Sequence, residues 1–137
     1  MQDKDLSQEE LFKRGSDVMD KVYAGIVPAG DAGNDRFMDL MVPHLFGQVW
    51  DESKLSIPQR RLFTMGIIAA MGEATVFEIQ CMAALKNEEM TADELREIAI
   101  HAAPYCGYPR VSGLRGAVEN AVRNIEREKR KANEQSE

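Results

Sequence analysis

Side chains for redox and metal chemistry are scarce in this chain, which has two cysteines and two histidines in 137 residues. Cys81 and Cys106 are too few for the disulfide framework of a small secreted scaffold, and they do not fall at metal-ligand spacings. A reduced, cytoplasmic setting is expected, with no metal. Positive charge is also short, at 17 Lys and Arg against 23 Asp and Glu, for a formal net charge of −6. Such a chain repels phosphate backbones, which excludes nucleic acid as an expected partner. The one basic cluster, residues 127–131, follows Glu126 and includes Glu128, so it reads as a solvated helix end. Long apolar runs are missing too. The richest, residues 62–71, is half of the roughly 20 residues that span a bilayer, so no membrane partner is expected. The first ten residues are polar and acidic, unlike a secretory leader. No stretch alternates with the period of a strand.

What remains is helical periodicity in a chain long enough for one compact domain, 1–137. Ser7 and Glu10 stand at the spacing of a capping box, ahead of a stripe containing Leu11, Phe12, Val18, Met19 and Val22, with Gly25 as the stop. Pro28, Gly30 and Gly33 mark residues 26–33 as a loop. Asn34 is the expected cap of a second helix carrying Phe37, Leu40, Met41 and Leu45, kinked at Pro43. Residues 51–56 connect it to a third helix, 58–71, opened by Pro58 and apolar nearly all round, hence expected at the centre. A fourth helix is expected over about 74–86. Thr91 and Glu94 form a second capping box for a fifth, through about Ala103. Pro104, Gly107 and Pro109 then break the chain. The last helix presents Val111, Leu114, Val118, Val122 and Ile125 on one face, and its charged end is expected to fray from about residue 127.

Small residues on the central helices (Gly66, Ala69, Ala70, Ala83, Ala84, Ala99, Ala102, Ala103) permit close helix approach. Apolar faces on every helix of so short a chain exceed what one copy hides, and self-association would bury the excess.

The run Leu45-Phe46-Gly47-Gln48-Val49-Trp50 followed by Leu55 resembles the "WGxVW … L" entry of 4-carboxymuconolactone decarboxylases. Arg60-Arg61-Leu62-Phe63-Thr64-Met65-Gly66 to Met71 is similar to that family's "RxLLTLAxLAAL" helix, and Ala83-Ala84-Leu85-Lys86-Asn87 to its "AALNN" segment. Thr91 to Ile98, His101, Tyr105, Gly107 and Pro109 follow "TxEEIxExLLHxAxYxGxP", the most specific block. The resemblance runs from about Gln8 to Ile125. It implies an all-α multi-helix bundle of the alkylhydroperoxidase D-like type, assembled as a homotrimer or homohexamer, with a small-molecule pocket among the central helices. The implied activity is cofactor-independent decarboxylation, as in aromatic catabolism, or thiol peroxidase chemistry.

Two departures from the family pattern bear on the reaction. The peroxidase branch needs Cys-x-x-Cys followed by His, so that a low-pKa thiolate attacks and a second thiol resolves. Cys81 has no such partner. The decarboxylase branch carries Glu-x-x-x-His on the fourth helix, and here those positions hold Val76 and Gln80. Gln80 can orient a substrate but does not move a proton at neutral pH.

Other residues stand near enough in the pattern to replace the pair. His101 lies in the apolar run 98–103 and His44 just beyond Pro43; each reads either as a core histidine or as a proton carrier, and either is expected beside Gln80 in a pocket. Tyr105 can donate to a developing oxyanion. Arg60 and Arg61 can meet an anionic substrate or form ion pairs at a helix start. Trp50 and Val76 complete the expected binding wall, Trp50 reading equally as a packing anchor. Three functions follow: a lyase, a thiol antioxidant protein, or a binding and assembly module without catalysis.

Overall fold

A computed structural model describes residues 5–137. Among them every regular element is a helix: α1 (Gln8–Tyr23), α2 (Arg36–Met41), a π-helix (Val42–Trp50), α3 (Ile57–Met71), α4 (Ala74–Lys86), α5 (Ala92–Cys106) and α6 (Tyr108–Gln135). This is the all-α class expected from the sequence. No helix is long and apolar enough to cross a membrane among the described residues. The chain divides into two compact units, residues 1–60 and 61–137, with the division falling inside α3.

In the first unit, α1 packs on the π-helix. Ser7 and Glu10 cap α1 reciprocally: Ser7 Oγ accepts from the Glu10 amide and Glu10 Oε2 from the Ser7 amide. The helix ends at Ala24, in the left-handed conformation, with Gly25 at φ 73° following it. The expected cap at Asn34 shifts by one residue, because Asp35 Oδ1 accepts the Phe37 amide at 2.9 Å. Pro43, where a kink was expected, stands at the change from α to π winding. A proline ring crowds the carbonyl four residues back, and a wider turn relieves that crowding. Gly15 lets the two helices meet: a Cβ there would lie 2.3 Å from the Val42 carbonyl oxygen, and Gly47 faces the same crossing. Phe12, Val18, Met19, Val22, Val42, Phe46 and Trp50 form this unit's core.

In the second unit, α4 and α5 both pack on α6. From α6 come Val111, Leu114, Val118, Ala121 and Ile125, in steps of three and four, the predicted face except that Ala121 is buried where Val122, which is half-buried, was expected. Met65, Ile68 and Ala69 of α3, Phe77, Cys81 and Ala84 of α4, and Leu95 and Ala99 of α5 complete the cluster. Thr91 and Glu94 form the predicted capping box. Two expectations change here. α3 buries only the stripe Arg61, Met65, Ile68 and Ala69, while Leu62, Phe63, Ile67 and Met71 stay exposed, Phe63 at 73%. And α5 runs through Pro104 to Cys106, breaking at Gly107 with φ 95°. Ile100 and Pro104 lie on the exposed side, where a carbonyl deprived of its helical partner meets water. The charged end of α6 is helical to Gln135.

Candidate functional site

Two features of the second unit bear on chemistry: a buried polar cluster and an open groove. The cluster centres on Arg61, which is 0% exposed. Its Nε and Nη2 donate to the two carboxylate oxygens of Glu89 at 2.9 and 3.1 Å, and its Nη1 donates to Gln80 Oε1 at 2.7 Å. Asn87 Nδ2 adds a longer bond to Glu89 at 3.4 Å. Nothing in the helical pattern marks Glu89, because it sits between α4 and α5 and owes its burial to the guanidinium. A buried charge demands a partner and further hydrogen bonds, and this set of acceptors supplies both.

That cluster decides where Gln80 goes. Expected to line a pocket beside a histidine, Gln80 is 2% exposed and its oxygen is committed to Arg61. Val76, one turn earlier on α4, is 40% exposed. Neither is among the residues lining the groove described next. Cys81, beside Gln80, is fully buried, and burial with the Glu78 charge pushes its thiol up to about 12, against the pull of Arg61. Cys81 and Cys106 are both free thiols.

The groove runs between α3 and α5, with a volume of about 570 Å³. Leu62 and Gly66 form the α3 side, and Glu94, Glu97, Ile98, His101, Ala102, Tyr105 and Cys106 the α5 side. The spacing explains the set: positions 94, 97/98, 101/102 and 105 follow one face of a helix. In the sequence only this helical spacing ties Glu94 and Glu97 to His101 and Tyr105. His101 and Tyr105 are one turn apart, with ring centroids 5.4 Å from each other and planes tilted by 41°. Both side chains are exposed to the groove mouth rather than packed in the core.

The remaining expected site residues lie in the first unit. His44 is exposed on the π-helix, its Nδ1 3.3 Å from Gln48 Oε1. Trp50 is part of that unit's core. Arg60 donates through Nη2 to the Glu52 carbonyl at 2.8 Å and through Nε to the Leu55 carbonyl at 3.3 Å, so it braces the loop before α3. Among the described residues no cluster of three or more histidine, cysteine or acidic side chains is disposed to hold a metal ion.

A sequence model described as the carboxymuconolactone decarboxylase family matches residues 35–120, a span that takes in the π-helix, the Arg61 cluster and the α3–α5 groove. The chain is similar to the 4-carboxymuconolactone decarboxylase of Acinetobacter baylyi, at 23% identity over 126 residues, covering 88% of this chain and 92% of that protein. It is also similar to the nitrosuccinic acid decarboxylase npaB of Metarhizium robertsii, at 30% identity over 95 residues, covering 69% of this chain and 63% of that one. No solved structure matches.

Proposed function

Since the chain belongs to the carboxymuconolactone decarboxylase family, we propose that it is a cofactor-independent lyase, releasing carbon dioxide from a small lactone or other carboxylic acid in aromatic-compound catabolism. The α3–α5 groove is its active site in this reading. The observation that carries it is the pairing of His101 with Tyr105 on one wall of a largely apolar groove, in a chain whose named relatives are decarboxylases.

The chemistry asks little of the protein. In an acid whose carboxylate stands β to a carbonyl, or is conjugated with one through a double bond, the carbon–carbon bond breaks and its electron pair delocalises onto that carbonyl oxygen. Carbon dioxide leaves, and the resulting enolate takes one proton at carbon. Leu62, Ile98 and Ala102 offer the low-polarity wall that weakens solvation of the departing carboxylate. The Tyr105 hydroxyl donates to the developing enolate oxygen. His101 delivers the proton to carbon, a role that typically contributes about 10²–10⁴-fold. Gln80 has no part in this, since its oxygen serves Arg61.

Thiol peroxidase chemistry is less well supported. A buried thiol held at about 12 is almost wholly protonated at neutral pH, and attack on a peroxide needs the thiolate.

The same reading has the chain working as a homotrimer or homohexamer. Leu62, Phe63, Ile67 and Met71 leave much of α3 apolar and exposed, which is surface a neighbouring copy would remove from water.

The test is direct. The purified chain is incubated with 4-carboxymuconolactone, nitrosuccinate and benzoylacetate, and carbon dioxide release is followed. Turnover of any of them that vanishes in His101→Phe establishes the reading. Turnover unaffected by both His101→Phe and Tyr105→Phe removes the groove as its location.

A further inference from the structure

Resting on the reading of the α3–α5 groove as the active site, we infer that Glu97 is the positioning residue for His101. Its carboxylate accepts a hydrogen bond from one ring nitrogen and holds the imidazolium, with the other N–H turned to the substrate carbon.

Besides His101, the lining side chains that can hold or pass a proton are Glu94, Glu97, Tyr105 and Cys106, all on α5. Glu94 serves the helix cap, accepting the Thr91 amide at 2.7 Å. Tyr105 has the enolate oxygen in this reading, and Cys106 is not one turn from His101. Glu97 is, at the spacing where Cβ atoms stand about 5–6 Å apart and a carboxylate reaches an imidazole. Among the described residues no hydrogen bond or ion pair already occupies Glu97 or His101. No cation competes for the carboxylate either. The α3 side of the groove offers only Leu62 and Gly66, which do not titrate. Arg96, next to Glu97 in sequence, is held by Glu119 at 2.7 Å and by Asp93 at 2.8 Å, and it lines a separate crevice between α5 and α6.

Substrate seated against Leu62, Ile98 and Ala102 displaces water from both side chains, which strengthens a carboxylate–imidazolium bond. Each turnover takes up one proton. The electron pair released with carbon dioxide becomes the new carbon–hydrogen bond, its proton comes from the His101 ring, and water reloads the ring. Glu97 keeps its hydrogen bond and gives up nothing. Carboxylate and imidazolium cancel, so a substrate with two carboxylates meets no net charge at this turn.

Glu97→Gln keeps the size of the side chain and removes its charge. With whichever test acid the parent turns over, kcat is expected to fall about tenfold while KM changes less than about twofold. The alkaline limb of kcat against pH is expected to move to lower pH. A kcat within about twofold of the parent, with the limb unmoved, overturns the inference.

A second measurement needs no turnover. Diethyl pyrocarbonate acylates the neutral imidazole, and the chain has two histidines, so His44 serves as the internal reference. At about pH 6, Glu97→Gln is expected to speed acylation of His101 about threefold relative to His44, because unit charges one turn apart in water bias the ring by about that factor towards its protonated form. An unchanged ratio overturns the inference. Faster acylation in a chain that decarboxylates none of the acids sustains the pair and removes the lyase. Turnover lost in His101→Phe and indifferent to Glu97→Gln keeps the lyase and removes the pair.

Discussion

Arg61 and Glu89 form a two-pronged ion pair with both side chains out of solvent, the guanidinium at 0% and the carboxylate at 5% exposure. The pair joins α3 to the segment between α4 and α5, and Gln80 joins it to α4 itself. Arg61 precedes Leu62 and Glu89 precedes the capping box of α5, so the pair ties together the two elements that wall the groove.

Removing one half of the pair leaves a buried charge. Arg61→Met is expected to cost about 3–5 kcal/mol of stability, because the Glu89 carboxylate is stranded. Arg61→Met combined with Glu89→Leu is expected to recover a large part of the loss. Urea denaturation followed by circular dichroism measures both, and an Arg61→Met protein as stable as the parent contradicts the pairing.

His101 stands at the groove mouth, so its replacement should be felt in catalysis and not in folding. His101→Phe is expected to lower kcat by about 10²–10⁴-fold, with the unfolding midpoint nearly unchanged. A loss of activity that tracks a loss of stability would return His101 to a packing role.

Two glycine-to-alanine changes should have opposite signs. At Gly15 the added methyl meets the Val42 backbone at 2.3 Å, and the crossing of α1 with the π-helix must open. Gly15→Ala is expected to destabilise by about 1–3 kcal/mol. Gly116 lies in α6 with nothing within 4 Å of the new methyl, so Gly116→Ala is expected to stabilise by about 0.5–1 kcal/mol. Paired thermal melts suffice to check them.

Cys81 gives a pH signature. Its thiol is raised from the ordinary value of 9.0 to about 12, chiefly by burial and secondarily by Glu78. The unfolded chain then releases this proton from about pH 9 upward while the folded chain keeps it, so the unfolded state binds fewer protons and stability falls with rising pH in the window 9 to 12. Cys81→Ala is expected to flatten that part of the profile, whatever it does to absolute stability. In the native protein a thiol reagent is expected to modify half-buried Cys106 and to reach Cys81 only on unfolding. An identical slope in the variant argues against the burial effect.

Self-association is checked by light scattering at micromolar concentration. A mass three or six times the 15.4 kDa chain is expected, and Phe63→Glu with Ile67→Lys is expected to reduce it, since both side chains are exposed on α3. A persistent monomer rules out the assembly.

The local signals in the sequence were sound because their physics is local. Ser7 with Glu10, and Thr91 with Glu94, find each other within one turn whatever the rest of the chain does. The periodic face of α6 needs only an apolar partner, and α4 and α5 supply it. A third reciprocal cap, in which Ser56 Oγ accepts the Gln59 amide and Gln59 Oε1 accepts the Ser56 amide, is equally local and opens α3 from the end of the expected connection. Asp35 rather than Asn34 caps α2, and α5 ends at Gly107 rather than at Pro104.

Helix propensity, capping and periodicity act over a handful of neighbours, so the primary structure alone determined an all-α chain and the approximate extent of its helices. The groove and its neighbours depended on something else. A guanidinium at position 61 is a surface ion in an isolated helix. It becomes a core residue only when Glu89, 28 positions later, folds against it, and that event withdraws Gln80 from solvent, while the packing of α5 on α6 leaves His101 and Tyr105 facing outward. Charge burial is settled by partners distant in sequence, and for that reason only the tertiary structure could assign those side chains their places.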